Sequence, residues 1–424
     1  MNAVRKMIRK GATAVAKRNV PLRKFMRFGM NTYRKTKYAI NTIGVKADEK
    51  TVMFNAFNGK SYSCTPKAVY EYMLSSEEYK DYKFIWVVRN LELYGWLADN
   101  PRTSIVKNKS KEYTKALAVA KYWIFNYRIY DYIYPKKGQV YVQCWHGTPL
   151  KRLGYDIEHS NNAMNSSEEI QYKYRTDAEK FKYILSPSAF ASDKFASAWN
   201  LNETGQRDKV LEAGYPRNDF LQNYDQKCLS RIKEELKIPE DKKVLLYAPT
   251  WRDNQHVAGV GYVYSNPVDF AKWRETLGED WVILFRAHYL VADAFDFEEY
   301  KGFVYDVSKY NDINELYVIS DMLITDYSSV FFDYANLKRP ILFYMYDLDA
   351  YKNELRGFYI DLEELPGPIV EAEEVLIEKI QNWESWFSYD EHYRKFNDKY
   401  NYLNDGNASK RFVERVIGGA VEKQ

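Results

Sequence analysis

The sequence predicts an α/β protein built from two doubly wound parallel sheets with a cleft between them. Short, almost wholly apolar segments alternate with helical segments from residue 51 onward, and the alternation begins again after a charged helix at 228–238. Continuous apolar strands are typical of parallel sheets that helices cover on both faces. A chain of 424 residues also exceeds one ordinary domain, so the repeated pattern indicates two domains.

The first alternation predicts an N-terminal domain over residues 48–218. Strands are predicted at 51–57, 83–88, 104–107, 122–126 and 140–145, and the segments 183–188 and 209–219 continue the pattern. Helices are predicted at 66–76 and 110–120, the first with Pro66 near its start, where the missing N–H costs nothing.

The second alternation predicts a C-terminal domain over residues 219–395, with a hinge near 215–228. Its strands are predicted at 244–248, 281–286, 303–307, 322–326 and 341–346, and its helices at about 268–277, 312–319 and 328–336. The charged ending is predicted to be helical, and its last part, 396–424, to pack back on the N-terminal domain.

Residues 1–47 carry the positive charge of the chain. They contain 13 Lys or Arg and no Asp or Glu, whereas the rest of the chain holds 49 basic and 58 acidic residues. Pro21 suits the first turn of a helix, and the apolar residues follow helical spacing: Val4, Met7, Ile8, Val15, Leu22, Phe25 and Met26. A basic amphipathic segment of this kind predicts contact of residues 1–40 with an anionic membrane surface. A helix packed on its own domain and a nucleic-acid arm are the alternatives, and nothing later in the chain supports nucleic acid.

Several common signals are missing from the sequence. No apolar run approaches the length of a spanning helix, and Lys or Arg interrupts the N-terminus too often for a secretory signal. The three cysteines lie far apart and fit no zinc spacing, which favours a reducing, cytosolic location. There is no phosphate-binding P-loop motif, and the acidic pair Asp347 and Asp349 is interpreted as a turn, so we expect no metal.

Polar side chains collect where four of the predicted strands end, namely at 145–151, 249–253, 286–288 and 325–329. Open α/β sheets bind their ligands at the carboxyl ends of their strands. Four such clusters therefore predict a ligand site along the cleft.

The cluster at 325–329 predicts an anion site in the C-terminal domain. Ser328 and Ser329 would open a helix, whose first N–H groups and dipole attract negative charge, although an ordinary helix cap is the alternative. Arg286 and His288 on a neighbouring strand end would add two cations, and Arg252 a third. This combination favours a nucleotide diphosphate as the ligand.

His146 is the candidate base. It follows a predicted strand of the N-terminal domain and would face the diphosphate across the cleft, where it could take a proton from an acceptor hydroxyl that attacks phosphorus. Lys151 and Arg152 next to it could hold an anionic acceptor. The other histidines are predicted to be structural: His159, His256 and His392.

The motifs of this chain resemble those of the CDP-glycerol glycerophosphotransferase family, the polyol-phosphate transferases of teichoic acid and capsule synthesis. The matching stretches lie between about 51 and 420: NAFNGKSYSCTPKAVYEYM, CWHGTPLKRLG, GYPRND, YAPTWRD, FRAH, SDMLITDYSSVFFDYANLKRPILFYMYD and RGFY. The resemblance implies a GT-B-like architecture of two Rossmann-type domains.

The resemblance also implies an activity. Glycerol phosphate would pass from CDP-glycerol to a hydroxyl of a lipid-linked, undecaprenyl-type acceptor with release of CMP, at the cytoplasmic face of the cell membrane, by a peripheral protein without a cofactor. Transferases that use CDP-ribitol carry the same motifs. A GT-B glycosyltransferase that uses a UDP-sugar and a binding protein with an inactive site are the further alternatives. Homo-oligomers are compatible with the sequence.

The resemblance implies roles for individual residues. His146 would be the base, and His288 with Ser328 and Ser329 would bind the pyrophosphate. Supporting phosphate contacts would come from Arg286, Thr250, Arg252 and Asp326, and from Arg217 on the hinge side. The acceptor side would be formed by Gly147, Thr148, Lys151 and Arg152.

Overall fold

Two parallel sheets form the framework of the protein in a computed structural model. It describes residues 20–157, 166–250, 256–257, 261–262, 267–287, 297–348 and 357–418. The first sheet with its helices is called the N lobe below, and the second sheet with its helices the C lobe. The predicted pair of parallel α/β domains is confirmed.

The sheet of the N lobe has seven strands in the order β3-β2-β1-β4-β5-β6-β7, and every pairing is parallel. The strands are β1 Asp48–Asn55, β2 Lys83–Val88, β3 Thr103–Lys107, β4 Ala120–Phe125, β5 Val140–Gln143, β6 Tyr183–Ser186 and β7 Val210–Glu212. Strands β1 to β3 follow one another toward one edge of the sheet, and strands β4 to β7 follow one another toward the other edge. This change of direction opens a crevice between β1 and β4 at their carboxyl ends.

The sheet of the C lobe repeats this plan with six strands in the order β12-β11-β8-β13-β14-β15. The strands are β8 Lys243–Ala248, β11 Trp281–Phe285, β12 Val304–Asp306, β13 Met322–Thr325, β14 Ile341–Tyr344 and β15 Ile369–Val370, and a separate antiparallel pair is formed by β9 His256–Val257 and β10 Gly261–Tyr262. Its crevice lies between β8 and β13.

The α-helices lie between and around these strands. Their bounds are α1 Val20–Thr42, α2 Cys64–Ser75, α3 Lys111–Val119, α4 Ser167–Ala178, α5 Ala189–Ala198, α6 Phe220–Asn223, α7 Gln226–Leu236, α8 Phe270–Leu277, α9 Ile313–Ile319, α10 Val330–Tyr334, α11 Glu373–Gln381, α12 Trp383–Trp386, α13 Glu391–Tyr400 and α14 Ala408–Val416. The helix predicted at 328–336 is shorter than expected, because its second half is a 3-10 turn at Ala335–Leu337.

Alternation along the strands places one apolar core on each face of the N-lobe sheet. Phe54 and Trp86 lie in the core on one face, whereas Met53 and Trp123 lie in the core on the other. All four side chains are fully buried. Burial on both faces is why these strands are apolar without interruption.

The last described helix, α14, lies on the N lobe although it follows the C lobe in sequence. Phe412 and Val413 belong to the same apolar core as Phe54 and Trp86. Asp219 accepts hydrogen bonds from the N–H groups of Ala408 and Ser409, at 2.8 and 2.7 Å, and thereby caps the start of the helix.

Helix α1 is the described part of the basic N-terminal segment. It begins with Pro21 in its first turn, as predicted, and packs against α3 with Tyr38 buried. The first half of the segment lies outside the described residues. In the part of the chain that the structure describes, no helix has both the length and the apolarity needed to cross a bilayer.

Candidate active site

Trp145 turns the chain sharply where β5 ends. Its backbone has a φ of +47°, a left-handed conformation that costs a non-glycine residue about 1 kcal/mol or more. The Gln143 side chain accepts a hydrogen bond from the Trp145 N–H at 3.1 Å and supports the turn. As a result His146 leaves the line of the strand and lies at the sheet edge that faces the C lobe.

The His146 ring is held in one orientation. Its Nδ1 lies 2.9 Å from the carbonyl oxygen of Asn126, at the end of the neighbouring β4. The Trp145 ring stacks on it with centroids 4.6 Å apart, and Phe57 meets it edge-on at 5.8 Å. Since a carbonyl can only accept, Nδ1 carries the hydrogen and Nε2 carries the lone pair of the neutral imidazole. Nε2 has no partner among the described residues.

The surroundings of His146 keep it neutral at physiological pH. The His146 side chain is exposed to solvent, but desolvation by the protein around it lowers its pKa below the ordinary histidine value. The hydrogen bond to Asn126 opposes the shift, and the positive charge of Arg217 adds to it. The lowered pKa leaves Nε2 unprotonated and able to act as a base.

Ser329 of the C lobe faces this histidine turn. Ser328 and Ser329 are half-buried directly before α10. A Cβ placed on Gly147 would lie only 2.6 Å from the Ser329 hydroxyl oxygen, so the Ser329 side chain lies against Gly147 across the cleft. Leu150, three residues further along, is buried in the apolar core of the C lobe. The two predicted clusters therefore lie opposite each other.

We expect Gly147→Ala to destabilise the protein by about 1–3 kcal/mol, because the added methyl group overlaps the Ser329 hydroxyl. Urea unfolding measures the loss. Gly147→Ala combined with Ser329→Ala should recover most of it, since the overlapping oxygen is then gone. Gly95→Ala is the control, because a Cβ there has no neighbour within 4 Å. Equal effects of Gly147→Ala and Gly95→Ala would show that the turns do not meet.

Asp326 and Thr250 fix the crevice between β8 and β13. The Asp326 carboxylate accepts hydrogen bonds from the N–H and the hydroxyl of Thr250 and from the N–H of Tyr327, and Asp326 is only 3% exposed. One carboxylate oxygen of Asp326 holds the two strand ends together, and the contact of Asp326 with the phosphates stays a prediction. The Thr250 hydroxyl is engaged in the same network.

Arg286 supports the loop that follows β12. One guanidinium nitrogen, Nη1, donates to the carbonyls of Val307 and Tyr310 at 2.8 and 3.0 Å. Burial lowers its pKa from the ordinary arginine value. Nε and Nη2 have no partner among the described residues, so Arg286 remains a candidate phosphate contact. The predicted partners His288 and Arg252 lie outside the described residues.

Arg217 joins the two lobes. Its guanidinium donates to the Asp333 carboxylate of α10 through Nε at 3.1 Å and through Nη2 at 2.9 and 3.0 Å, and it stacks on the Tyr215 ring at 3.8 Å. Asn218 donates to the same carboxylate at 2.9 Å. The side chain of Arg217 is only 5% exposed. Arg217 therefore has a structural role between the lobes through Nε and Nη2, and its contact with a phosphate stays a prediction.

The first two predicted acceptor-side residues are buried at the junction of the lobes. Gly147 is buried, and Thr148 is only 2% exposed. Both residues contribute to the junction of the lobes, and their contact with an acceptor stays a prediction.

Lys151 and Arg152 lie where the backbones of the two lobes meet. Both residues are half-buried, and Lys151 forms an antiparallel bridge with Phe358 of the C lobe. The Arg152 N–H donates to the Gly357 carbonyl at 2.9 Å. This short backbone ladder joins the two lobes, and the contact of Lys151 and Arg152 with an acceptor stays a prediction.

Several residues of the site could not be identified from the sequence. Asn126 and Phe57 orient the His146 ring, and the Asn126 side chain also accepts from the Phe57 N–H at 2.7 Å. Asn126 is the last residue of the predicted strand 122–126. This position at a strand end is the feature of the sequence that could have indicated its role. The sequence does not indicate the role of Asp333, because its partner Arg217 lies 116 residues away along the chain.

Two other predictions on polar residues can be compared with the structure. His392 lies 2.9 Å from the Leu365 carbonyl through Nε2, which fits the structural role predicted for it. Asp347 accepts a hydrogen bond from the Tyr327 hydroxyl at 3.1 Å, while Asp349 lies outside the described residues. His159 also lies outside them, and of His256 only the strand position is described.

Comparisons with known proteins give a consistent result. The family model described as CDP-Glycerol:Poly(glycerophosphate) glycerophosphotransferase matches residues 37–418. A teichoic acid poly(glycerol phosphate) polymerase of Bacillus spizizenii is 41% identical over 376 residues, which cover 88% of this chain and 93% of that protein. The corresponding polymerase of Bacillus subtilis is 42% identical over 371 residues, and there the chain spans only 48% of the relative's length. A teichoic acid poly(ribitol-phosphate) polymerase of Bacillus spizizenii is 32% identical over 375 residues.

A solved structure shares the fold. The wall teichoic acid polymerase TagF superimposes with a TM-score of 0.82 at 37% identity, and the match covers 95% of this chain and 98% of that one. A histidine-to-asparagine variant of TagF has also been solved after a soak with CDPG. Both lobes of the present chain are included in the superposition.

Proposed function

This chain belongs to the CDP-glycerol:poly(glycerophosphate) glycerophosphotransferase family, and we propose that it transfers glycerol phosphate from CDP-glycerol to a terminal hydroxyl of a lipid-linked teichoic acid acceptor. The observation that supports the site of this reaction is the position of His146. Its Nδ1 is held by the Asn126 carbonyl of the N lobe, and the next residue, Gly147, lies against Ser329 of the C lobe.

The proposed reaction is a single displacement at phosphorus. The acceptor hydroxyl oxygen attacks the phosphorus that carries glycerol, and a new oxygen–phosphorus bond forms. The bond from this phosphorus to the bridging oxygen breaks, and that oxygen leaves with CMP. The hydroxyl proton passes to Nε2 of His146, whose Nδ1–H stays on the Asn126 carbonyl.

The C lobe would hold the diphosphate during this step. The hydroxyls of Ser328 and Ser329 are hydrogen-bond donors that suit phosphate oxygens. The two guanidinium nitrogens of Arg286 that have no partner among the described residues are suitable donors as well. His288 and Arg252 complete the proposed set. No metal enters this proposal, because these donors can stabilise the leaving phosphate.

Glycerol is favoured over ribitol by the similarity to known proteins. The poly(glycerol phosphate) polymerases named above are 41% and 42% identical to this chain, and the poly(ribitol-phosphate) polymerase is 32% identical. The purified protein should therefore yield product from CDP-glycerol and a lipid-linked acceptor, with release of CMP. CDP-ribitol and UDP-sugars are the comparison donors. Product from a UDP-sugar, or none from CDP-glycerol with acceptors of any length, would contradict the proposal.

Helix α1 supports peripheral attachment to the cytoplasmic face of the cell membrane. Phe25 and Phe28 are 73% and 71% exposed, and Ile40 is exposed as well. Exposed apolar side chains on a basic helix suit insertion into the interface of an anionic leaflet. The free thiols of all three cysteines fit the reducing side of the membrane.

Phe25→Ser combined with Phe28→Ser should release the protein from phosphatidylglycerol vesicles, because each substitution removes an apolar anchor. Flotation with vesicles measures the bound fraction. These substitutions are preferable to deletion of residues 1–40, since deletion would also remove the buried Tyr38. Tyr172→Ser combined with Val375→Ser is the control, because both side chains are exposed outside α1. Undiminished flotation of the Phe25/Phe28 variant would rule out α1 as the anchor.

A further inference from the structure

We propose that a strip of basic and tyrosine side chains between α1 and His146 binds the phosphates of the acceptor chain. The strip consists of Arg34, Lys35, Arg89 and Lys109 together with Tyr130, Tyr132 and Tyr134. Its ligand is a polyanion of repeating polyol phosphates. The inference rests on the proposed function, because it assigns a place to the acceptor of that reaction.

Three of the cations lie over tyrosine rings. The Lys109 ammonium is 4.8 Å from the Tyr130 centroid, and the Arg34 guanidinium carbon is 5.7 Å from the Tyr132 centroid. The Lys35 ammonium lies 4.7 Å from the Tyr134 ring in the same way. Tyr130 and Tyr132 themselves stack at 5.7 Å. Cation–π contacts hold each of the three charges over a tyrosine of the segment 130–134, and the basic side chains stay exposed.

One end of the strip reaches the candidate base. The Tyr130 hydroxyl donates to the Asn58 side chain at 2.8 Å, and Arg89 Nε donates to the Asn58 carbonyl at 2.9 Å. The residue before Asn58 is Phe57, whose ring contacts the His146 ring. A chain bound along the strip would therefore present its last unit close to Nε2 of His146.

The other end of the strip reaches the helix that we assign to the membrane. The Tyr38 hydroxyl of α1 donates to the Tyr134 carbonyl at 3.4 Å. Lys136 Nζ donates to the carbonyls of Thr42 and Val45, both at 2.8 Å. A lipid-linked acceptor has its lipid in the membrane and its reactive hydroxyl at the far end of a phosphate chain. The strip likewise extends from helix α1, which we assign to the membrane, to the candidate base His146.

Ion pairing distinguishes the strip from other basic residues of the surface. Within the described ranges, no carboxylate forms an ion pair with Arg34, Lys35, Arg89 or Lys109. Exposed lysines elsewhere do have such partners: Lys50 pairs with Asp81, Lys80 with Glu77 and Lys395 with Glu391. Unpaired cations in a row complement a row of phosphates, which bind with a strong dependence on salt.

The test is direct binding of a fluorescent oligo(glycerol phosphate) without a lipid tail, measured by anisotropy in the absence of membranes. The variant Arg34→Gln/Lys35→Gln/Lys109→Gln should bind it about 10-fold or more weakly, because three exposed cations that face the phosphates are lost. The control variant Lys50→Gln/Lys80→Gln/Lys395→Gln loses three paired charges and should bind as the wild type does. Binding of the wild type should weaken as salt rises.

Three results would contradict the proposal that the strip binds the acceptor phosphates. The first is equal affinity of the triple variant and the wild type for the oligomer. The second is an equal loss of affinity for an uncharged oligoglycerol. The third is a variant that loses only vesicle binding, which would make the strip a membrane contact.

Transfer assays with the same oligomer separate the strip from the proposed function. The triple variant should show a raised KM for the oligomer with an unchanged KM for CDP-glycerol. If the wild type binds the oligomer through these residues but transfers no glycerol phosphate to it or to any lipid-linked acceptor, the proposed function fails and the strip stands. If the wild type transfers glycerol phosphate and the triple variant keeps the wild-type KM for the oligomer, the proposed role of the strip is wrong. The proposed function is then still supported.

Discussion

His146→Ala is expected to lower the turnover of glycerol phosphate transfer by about 10²–10⁴-fold, the range over which a positioned general base acts. The affinity for CDP-glycerol should change little, because the proposed diphosphate contacts belong to the C lobe. Steady-state kinetics with a lipid-linked acceptor measure the first quantity, and calorimetric titration with CDP-glycerol measures the second. His146→Ala with wild-type turnover would show that another group takes the proton.

The pH profile of the wild type provides a control on this assignment. The base must be neutral to accept a proton, and the pKa of His146 is lowered below the ordinary value of 6.5. Activity should therefore persist as the pH falls to about 6.5 and decline only at lower pH, as His146 becomes protonated. His146→Ala should lose this acidic limb. A limb that remains in the variant belongs to a different residue.

Asp333→Ala is expected to destabilise the protein by about 3–5 kcal/mol, because it leaves the Arg217 guanidinium buried without its counter-charge. The substitution also removes the hydrogen bond from Asn218. Chemical unfolding in urea measures the loss. Transfer activity should fall with it, since the ion pair holds the helix after Ser329 against the N lobe.

Two further variants test whether the loss of stability in Asp333→Ala comes from the buried, unpaired charge of Arg217. Asp81→Ala removes the exposed partner of Lys50 and should cost at most about 1 kcal/mol. Asp333→Leu combined with Arg217→Met should be more stable than Asp333→Ala, because no buried charge is left unpaired. If Asp333→Ala costs no more than Asp81→Ala, the Arg217–Asp333 pair does not hold the lobes together.

The framework of the fold was predictable because its strands are buried on both faces. Runs such as 84–88 and 244–248 are apolar at every position, and the observed strands differ from the predicted ones by a few residues at most. The two-residue strand β15 was missed, since so short a segment has no periodicity. Helices α4 and α5 were missed as well, although Ser166 and Ser188 cap their starts.

The candidate site was predictable only in part. The position of His146 after a strand indicated its role, but the orientation of its ring depends on Asn126 of a neighbouring strand. Strand neighbours cannot be deduced from the order of strands along the chain. The same limit explains Arg217, whose sequence context suggested a phosphate contact while its partner Asp333 lies on the other lobe. Thr148 is polar yet buried, because Leu150 nearby enters the core of the C lobe.

The central claim is that His146 of one lobe faces phosphates held by the other, and a crystal structure of His146→Ala with CDP-glycerol tests it most directly. The variant should trap the donor without turnover. We predict that its phosphates lie beside Ser328 and Ser329, with the glycerol-bearing phosphorus opposite position 146. A donor bound elsewhere, such as the groove of about 490 Å³ lined by Leu365, Trp386 and His392, would contradict this arrangement.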